Sequence, residues 1–439
     1  MPAMQRERTG RSAVVGLGCL GALWAIGFFL RAYGVPDLAV DQAAIRGWLA
    51  GGDLYDLGTG RPPITALLLT PGAVLPLTVL AWLLALAGVA ALVLTLVALA
   101  GPVARRYGRS RFVAVVAAAV LALLTEPVRA TLGLGHLDLL ILCLITADVV
   151  ALRRSAWARR RAAWWPGPPA SSRPSRGRLD LLRRLWSTGA WAGVGIGVAT
   201  ALAVGPALFI AYLAVTRQWR AAVTATTTAV ALTLGGLLIA PGATGSWLGS
   251  VLFQVDRSGP VSDHANQSLA GLLARLYDSS STPVLVWLSF AVLLLAVGLI
   301  RARAAHTDGD EIAAITLVGL TGAAAAPVST SHKLVWVLPA VLILVDAAAR
   351  SRVGARRPGR SRRFAGLGYA SAALGTYLLF VLPPQWTTSW NAYAFAVIVL
   401  MNALPWRPGV APATPPTAPA VRRPVAPARV PAIPVPRGS

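Results

Sequence analysis

Acidic residues are scarce in this chain. Its 439 residues hold 16 Asp and Glu against 40 Lys and Arg, with a single lysine, Lys333, and four histidines. So few carboxylates leave acid–base chemistry to a short set of candidates. Cysteine is nearly missing as well: Cys19 and Cys143 each sit inside an apolar run, which argues against a disulfide framework and a thiolate metal centre. No zinc-type cluster stands in the sequence, and neither a metal nor another cofactor is expected. The glycine-rich stretches 133–135 and 193–197 lack the strand–loop–helix context of a phosphate loop, which excludes a nucleotide role for them. No A-x-A cleavage pattern follows the first apolar run, so 13–30 reads as an uncleaved first span.

What the chain does have is apolar length, with 56% hydrophobic residues and only 13% charged. The charges are confined to short gaps between roughly twelve apolar stretches, and a charge at the centre of an inserting helix costs about 2.5–3.5 kcal/mol, so these stretches read as membrane spans. The expected fold is all-α and polytopic, one transmembrane domain over 13–405 of about 12 helices with external juxtamembrane helices. A cytoplasmic terminus precedes it at 1–12. A basic cytoplasmic linker is expected at 153–186, a long external loop at 241–282, and a disordered Pro/Ala/Arg-rich cytoplasmic tail at 406–439. The net charge of +24 would suggest nucleic acid in a soluble protein. Here the basic residues alternate along the chain as the positive-inside rule requires, so they report topology and affinity for anionic headgroups. That topology places both termini in the cytoplasm of a plasma-membrane protein. Only Arg31, Arg46, Arg61, Arg129, Arg257, Arg275 and Lys333 then face outward.

Polar residues gather in the external segments: Asp37, Asp41, Asp53 and Asp56; then Glu126, His136 and Asp138; then Asp256, Asp263, His264, Asn266 and Gln267; then His332 and Lys333. A helix start after Pro36 explains Asp37 about as well as catalysis does on composition alone, and Asp138 at the head of a span would favour the helix dipole. Asp148 and Asp346, near arginines at cytoplasmic ends, read as structural ion partners. The segment 31–76 contains an interfacial helix with Leu38, Ile45, Trp48 and Leu49 on one side and Gln42 and Arg46 on the other. Ile64 to Leu75 is too short to cross a bilayer and reads as re-entrant. Gly189, Gly193 and Gly197 recur every fourth residue in an expected helix at 187–203, a small-residue face for close packing.

Motifs in a shared order resemble the GT-C class polyprenyl-phosphate-mannose-dependent α-(1→2)-mannosyltransferases of actinobacterial phosphatidylinositol mannoside and lipomannan synthesis. They are Asp37-Leu-Ala-Val40, Gly52-Asp-Leu-Tyr55, Pro62-Pro63-Ile-Thr-Ala-Leu, Pro127-Val-Arg-x-Thr-Leu-x-x-Gly135, Asn266-Gln-Ser-Leu-x-Gly-x-x-x-Arg275, and Pro327-Val-Ser-x-Ser-His332 with Val335-Trp-Val-Leu-Pro339. The chain departs from the family pattern at four places: Gly135-His-Leu-Asp138 replaces Gly-Gln-x-Asn, Ala130 stands where Glu is frequent, Ala203 where a lysine precedes the split-helix proline, and Lys333 where a second histidine follows His332.

The resemblance implies sugar transfer from a polyprenyl phosphate to a lipid-linked glycan acceptor outside the membrane. Inversion needs one carboxylate to take the acceptor proton, while a phosphate leaves without an acid if cations hold it. Asp37 is the expected base and Asp41 the next candidate, with Asp138 behind them. His332, Lys333, Arg129, Arg275, Asn266, Gln267, His136 and Asp138 are the expected donor phosphate and sugar contacts. A lipid or solute transporter is the alternative from another class, and it would be expected to carry repeated halves and ionisable groups near the midplane. The departures admit a second alternative, a relative without activity.

Overall fold

The computed structural model describes residues 2–164, 186, 188–254, 261–277, 284–354 and 364–407. Among these every regular element is helical. Helices α1 (Pro2–Tyr33), α2 (Pro36–Leu49) and α3 (Pro63–Ala73) precede the long α4 (Leu77–Arg106), and α5 (Arg111–Leu123), α6 (Glu126–Leu134) and α7 (Asp138–Trp164) follow. The middle of the chain forms α8 (Val194–Leu202), α9 (Ala207–Val215), α10 (Trp219–Ile239), α11 (Pro241–Gly249) and α12 (Leu269–Leu276). Then come α13 (Val284–Thr307), α14 (Glu311–Ala325), α15 (Val337–Gly354), α16 (Leu367–Val381), α17 (Pro384–Thr387) and α18 (Ala392–Ala403).

Four helical stretches are long and apolar enough to cross a membrane: α4, α10, α13 and Ser331–Gly354. Two bent pairs raise this to six, Leu20–Tyr33 with α2 at 76° and α5 with α6 at 71°. Helices α3, α14, α16 and α18 are apolar but only 10–17 residues long. Hydropathy marks an apolar run and says nothing of where it bends, so several runs appear as broken or short helices. Outward-facing leucines such as Leu238 and Leu285 are more than 80% exposed, as expected of side chains in contact with lipid.

The core centres on α14, whose residues from Ala313 to Thr321 are all buried. A helix apolar all round belongs in an interior. Its Gly319 lies so close to the Trp336 indole that no side chain fits between them, which seats the 3-10 turn Ser331–Trp336 against the core. Trp336 also meets Phe209 of α9 at 5.0 Å between ring centroids.

Several expectations need correction. The helix expected at 187–203 starts only at Val194, because Gly189 and Gly193 adopt left-handed φ of 67° and 105° and keep the preceding residues in turns. The close packing is nonetheless present: Gly193 and Gly197 lie against the α10 backbone, and Gly195 against the Leu144 carbonyl of α7. Asp148 is a backbone cap, not an ion partner, its Oδ2 accepting from the Ile196 N–H at 2.7 Å. Asp346 does pair with Arg350 and Arg407. The 241–282 segment carries α11 and α12 where a loop was expected, and the gap 126–136 carries α6. Gln42 and Arg46, expected on the side of α2 opposite its apolar residues, hydrogen-bond carbonyls at and just past the end of α3, those of Gly72, Ala73 and Leu75. Most of the basic linker and of the tail lie outside the described residues, as do Asp256 and Arg257.

A Cβ at Gly197 would stand 2.5 Å from the Ala225 carbonyl oxygen and 2.6 Å from Thr228 Cβ. Gly197→Leu is therefore expected to destabilise the protein by about 1–3 kcal/mol through overpacking, and Gly197→Ala by less. Thermal unfolding in detergent reads both, and an unchanged midpoint for the leucine variant would refute the packing.

Candidate active site

The site begins where α1 stops. Gly34 and Val35 take left-handed φ of 74° and 52°, and this pair turns the chain into α2. A β-branched residue in that region is strained by about 1–3 kcal/mol. The strain is held by burial of Val35 and by its N–H donating to the Gly133 carbonyl at 3.2 Å. Pro36 at the start of α2 fixes the helical entry, and Asp37 follows in the first turn.

The opposing wall is the end of α6. Gly135, at φ 81°, terminates this helix, and the next residue, His136, swings its ring toward Asp37. Nε2 and the Asp37 Oδ2 are 2.7 Å apart. The Arg61 guanidinium lies 3.4 Å from Nδ1. Arginine only donates, so Nδ1 is the acceptor and Nε2 carries the proton given to Asp37. Asp41 lies one turn further along the same face of α2, where Arg61 pairs with Oδ2 and the Thr59 hydroxyl donates to Oδ1 at 2.8 Å.

These two carboxylates differ. The hydrogen bond from His136 holds Asp37 below the usual carboxylate range, outweighing partial burial, and the positive charge of Arg61 acts in the same direction. Burial pushes Asp41 up, against Arg61 and Thr59. The side chain of Asp37 is 47% exposed and that of Asp41 only 8%. Of the pair, Asp37 is the reachable one and the one held down.

His332 closes the site. Its ring stacks on that of His136 with centroids 3.6 Å apart and planes 12° from parallel. Asp138, in the first turn of α7, completes a group with these histidines in which one ligand atom from each lies within 4.8 Å of the others. Such a cluster was not legible along the chain, since His332 is nearly 200 residues away from the other two. Three donors of this kind could hold a divalent cation. Against that use, both nitrogens of His136 are already engaged, and the cations of Arg61 and Lys333 lie within electrostatic reach of Asp138. Lys333 Nζ donates to the Val328 carbonyl at 2.9 Å.

The structure thus gathers Asp37, Asp41, His136, Asp138, His332 and Lys333, and adds Arg61, which the sequence marked only as an outward cation before Pro62-Pro63. Arg129 stands apart, pairing with Glu126 at 3.2 Å and donating to the Val381 carbonyl, while Tyr33 donates to the same Glu126. Arg275 donates to the carbonyls of Asp263 and Asn266 and to the Asn391 side chain. Asn266 donates to Val261 and Pro327 and accepts from the Ser268 and Ser329 N–H groups; Gln267 donates to His264 and Thr388. Arg129 thus ties α6 to the end of α16, the other three brace loops, and Asn266 braces the loop that carries His332.

The description of glycosyltransferase family 87 matches residues 61–330. Among curated relatives, a protein of Mycobacterium tuberculosis is 28% identical over 70% of this chain and 69% of its own length. One of Mycolicibacterium smegmatis is 26% identical over 87% of each. Both are named polyprenol-phosphate-mannose-dependent alpha-(1-2)-phosphatidylinositol mannoside mannosyltransferase. No solved structure matches the chain. With well over half of its length matched, the chain belongs to glycosyltransferase family 87.

Proposed function

We propose that this membrane glycosyltransferase moves mannose from a polyprenyl phosphate to a phosphatidylinositol-based glycolipid at the external face of the plasma membrane, by a single inverting displacement. The observation that carries the reading is the ionised, half-exposed Asp37 joined to His136, which stacks on His332 beside Lys333 and Arg61. The names of the two relatives support mannose as the sugar and a phosphatidylinositol mannoside as the acceptor. The finer architecture that goes with this reading is a GT-C-like bundle of about 12 spans in which bent and short helices such as α5–α6 and α8–α9 count as crossings, both termini being cytoplasmic.

The chemistry follows from the charges. The acceptor hydroxyl oxygen bonds to the anomeric carbon as that carbon's bond to the phosphate oxygen breaks. The bonding electrons leave on the phosphate, and the hydroxyl proton passes to Asp37. Lys333, Arg61 and His332 hold the phosphate, where added negative charge develops. A phosphate held in this way needs no acid to leave. Asp41, locked by Arg61 and Thr59, fixes the guanidinium and does not take the proton.

Asp37→Asn keeps shape and removes the base, so mannosyl transfer from labelled polyprenyl-phosphate-mannose to a mannolipid should fall roughly 10²–10⁴-fold in kcat. Retained turnover would sink the assignment.

Because Asp37 is held below the usual range, its carboxylate stays charged until pH falls below that range, and the acid limb of kcat should lie correspondingly low. His136→Leu removes the group that holds it down, so the limb should move to higher pH. A limb that does not move separates His136 from the base.

Lys333→Ala should raise the KM for the donor roughly tenfold, the scale of a lost hydrogen bond to a charged group. An unchanged donor KM would remove Lys333 from the phosphate site.

A further inference from the structure

A second feature lies on the other side of the α1–α2 elbow. A groove of about 550 Å³ runs between α1 and α4, lined by Trp24, Gly27, Phe28, Arg31, Thr78 and Trp82 among others. Its volume falls within the ~300–1,000 Å³ of small-molecule sites. Most of its wall is apolar and aromatic, with Trp24 and Phe28 exposed and stacked at 5.7 Å between centroids. Arg31 and Thr78 mark one end, where α1 is about to stop and α4 begins. Val35, which also lines the groove, is two residues from Asp37.

Arg31 is the informative group. It is exposed, and among the described residues it has no acidic partner. It is one of the few cations on the side of the membrane from which the positive-inside rule removes them. A lone cation at the mouth of an apolar groove at the bilayer edge matches an anionic headgroup with a hydrocarbon chain below it. The start of α4, whose dipole end is positive, lies at the same mouth.

Two lipids of the reaction carry a phosphate, and position decides between them. The donor phosphate is bonded to the anomeric carbon and must sit at the reacting centre. The groups placed at Asp37 are His136, hydrogen-bonded to it, and Arg61 behind that ring. The phosphodiester of a phosphatidylinositol-based acceptor is separated from its reacting hydroxyl by inositol and sugar, so it belongs at a cation set back from the base.

Resting on the transferase reading above, we infer that the α1–α4 groove binds the acceptor, an anionic glycophospholipid, with an acyl chain along Trp24, Gly27, Phe28 and Trp82 and the phosphodiester on Arg31. Gly27 keeps the groove open: a Cβ there would already touch the Trp82 ring at 3.4 Å, and a longer side chain would fill the space.

The test is photolabelling of the full-length protein in micelles with a phosphatidylinositol that carries a diazirine on one acyl chain. Label should appear in peptides spanning 23–31 and 78–82, and unlabelled phosphatidylinositol should compete for it. Phosphatidylcholine and a polyprenyl phosphate should not. Gly27→Leu should cut the labelling, and Arg31→Gln should lower the preference for phosphatidylinositol over phosphatidylcholine roughly tenfold. Thermal midpoints of both variants confirm folding. In the transfer assay Arg31→Gln should raise the acceptor KM and leave the donor KM as it was. Equal competition by phosphatidylcholine would reduce the groove to an ordinary lipid contact, and competition by polyprenyl phosphate would give it to the donor; either outcome overturns the inference. A wild-type protein that labels as described but transfers no sugar would sink the transferase reading and leave the groove's preference for an anionic lipid standing.

Discussion

One hydrogen bond, from His136 to Asp37, joins two places where the chain stops being a straight helix. On one side is the 76° bend between α1 and α2, on the other the 71° bend between α5 and α6 and the left-handed end of α6 at Gly135. A straight helix in a membrane satisfies its own backbone, and a break frees amides and carbonyls that must find partners. Between the two, the Val35 N–H reaches the Gly133 carbonyl, while the His136 N–H closes the end of its own helix on the Thr131 carbonyl. The two breaks support one another, and the carboxylate and the imidazole meet because of it.

Glycine is what permits this contact. A Cβ at Gly133 would run into the Tyr33 ring at 2.6 Å, and one at Gly135 into Leu38 Cβ at 2.7 Å. The elbow between α1 and α2 therefore rests directly on the end of α6. The glycine-rich run 133–135, which has no use as a phosphate loop, serves close backbone approach. Tyr33 carries the same junction further by donating to Glu126, which in turn holds Arg129, so one network spans α1, α6 and the Val381 carbonyl at the end of α16.

What the sequence made legible divides along physical lines. Apolar runs and the spacing of charges between them are local properties, and they led to an all-helical chain with membrane-spanning helices and to the polar segments that hold Asp37, His136 and His332. The bends were not legible, because a break by Gly34-Val35 depends on backbone conformation that apolar content does not encode. The same blindness extended the α8 helix back to 187, across two glycines that are left-handed in the structure. Partner choice was legible only in part. Asp346 pairs with arginines as its neighbours suggest, whereas Asp148 turns to the backbone of a helix almost fifty residues away. Of the arginines expected at the donor by motif, Arg129 spends its donors on Glu126 of its own helix and the last carbonyl of α16, and Arg275 on carbonyls and an Asn side chain of neighbouring loops. Arg61 showed only as a charge out of place.

The replacement of a second histidine by Lys333 acquires a reason at this level. The loop bearing it is fixed before any substrate arrives: Asn266 spans Val261, Pro327 and the Ser329 N–H, and Trp336 lies on Gly319 of the buried α14. Lys333 itself has spent one donor on the Val328 carbonyl, and an ammonium has two more to offer. Asp138 within electrostatic reach balances part of that charge, where the family pattern has a neutral Asn. The lysine and the aspartate are thus departures that offset one another in charge. A phosphate arriving between the histidine pair and Lys333 would meet a site whose cations are already oriented, with Asp37 kept ionised on the far side of the His136 ring. Oriented charge of this kind stabilises the departing phosphate without reorganisation at the moment of transfer.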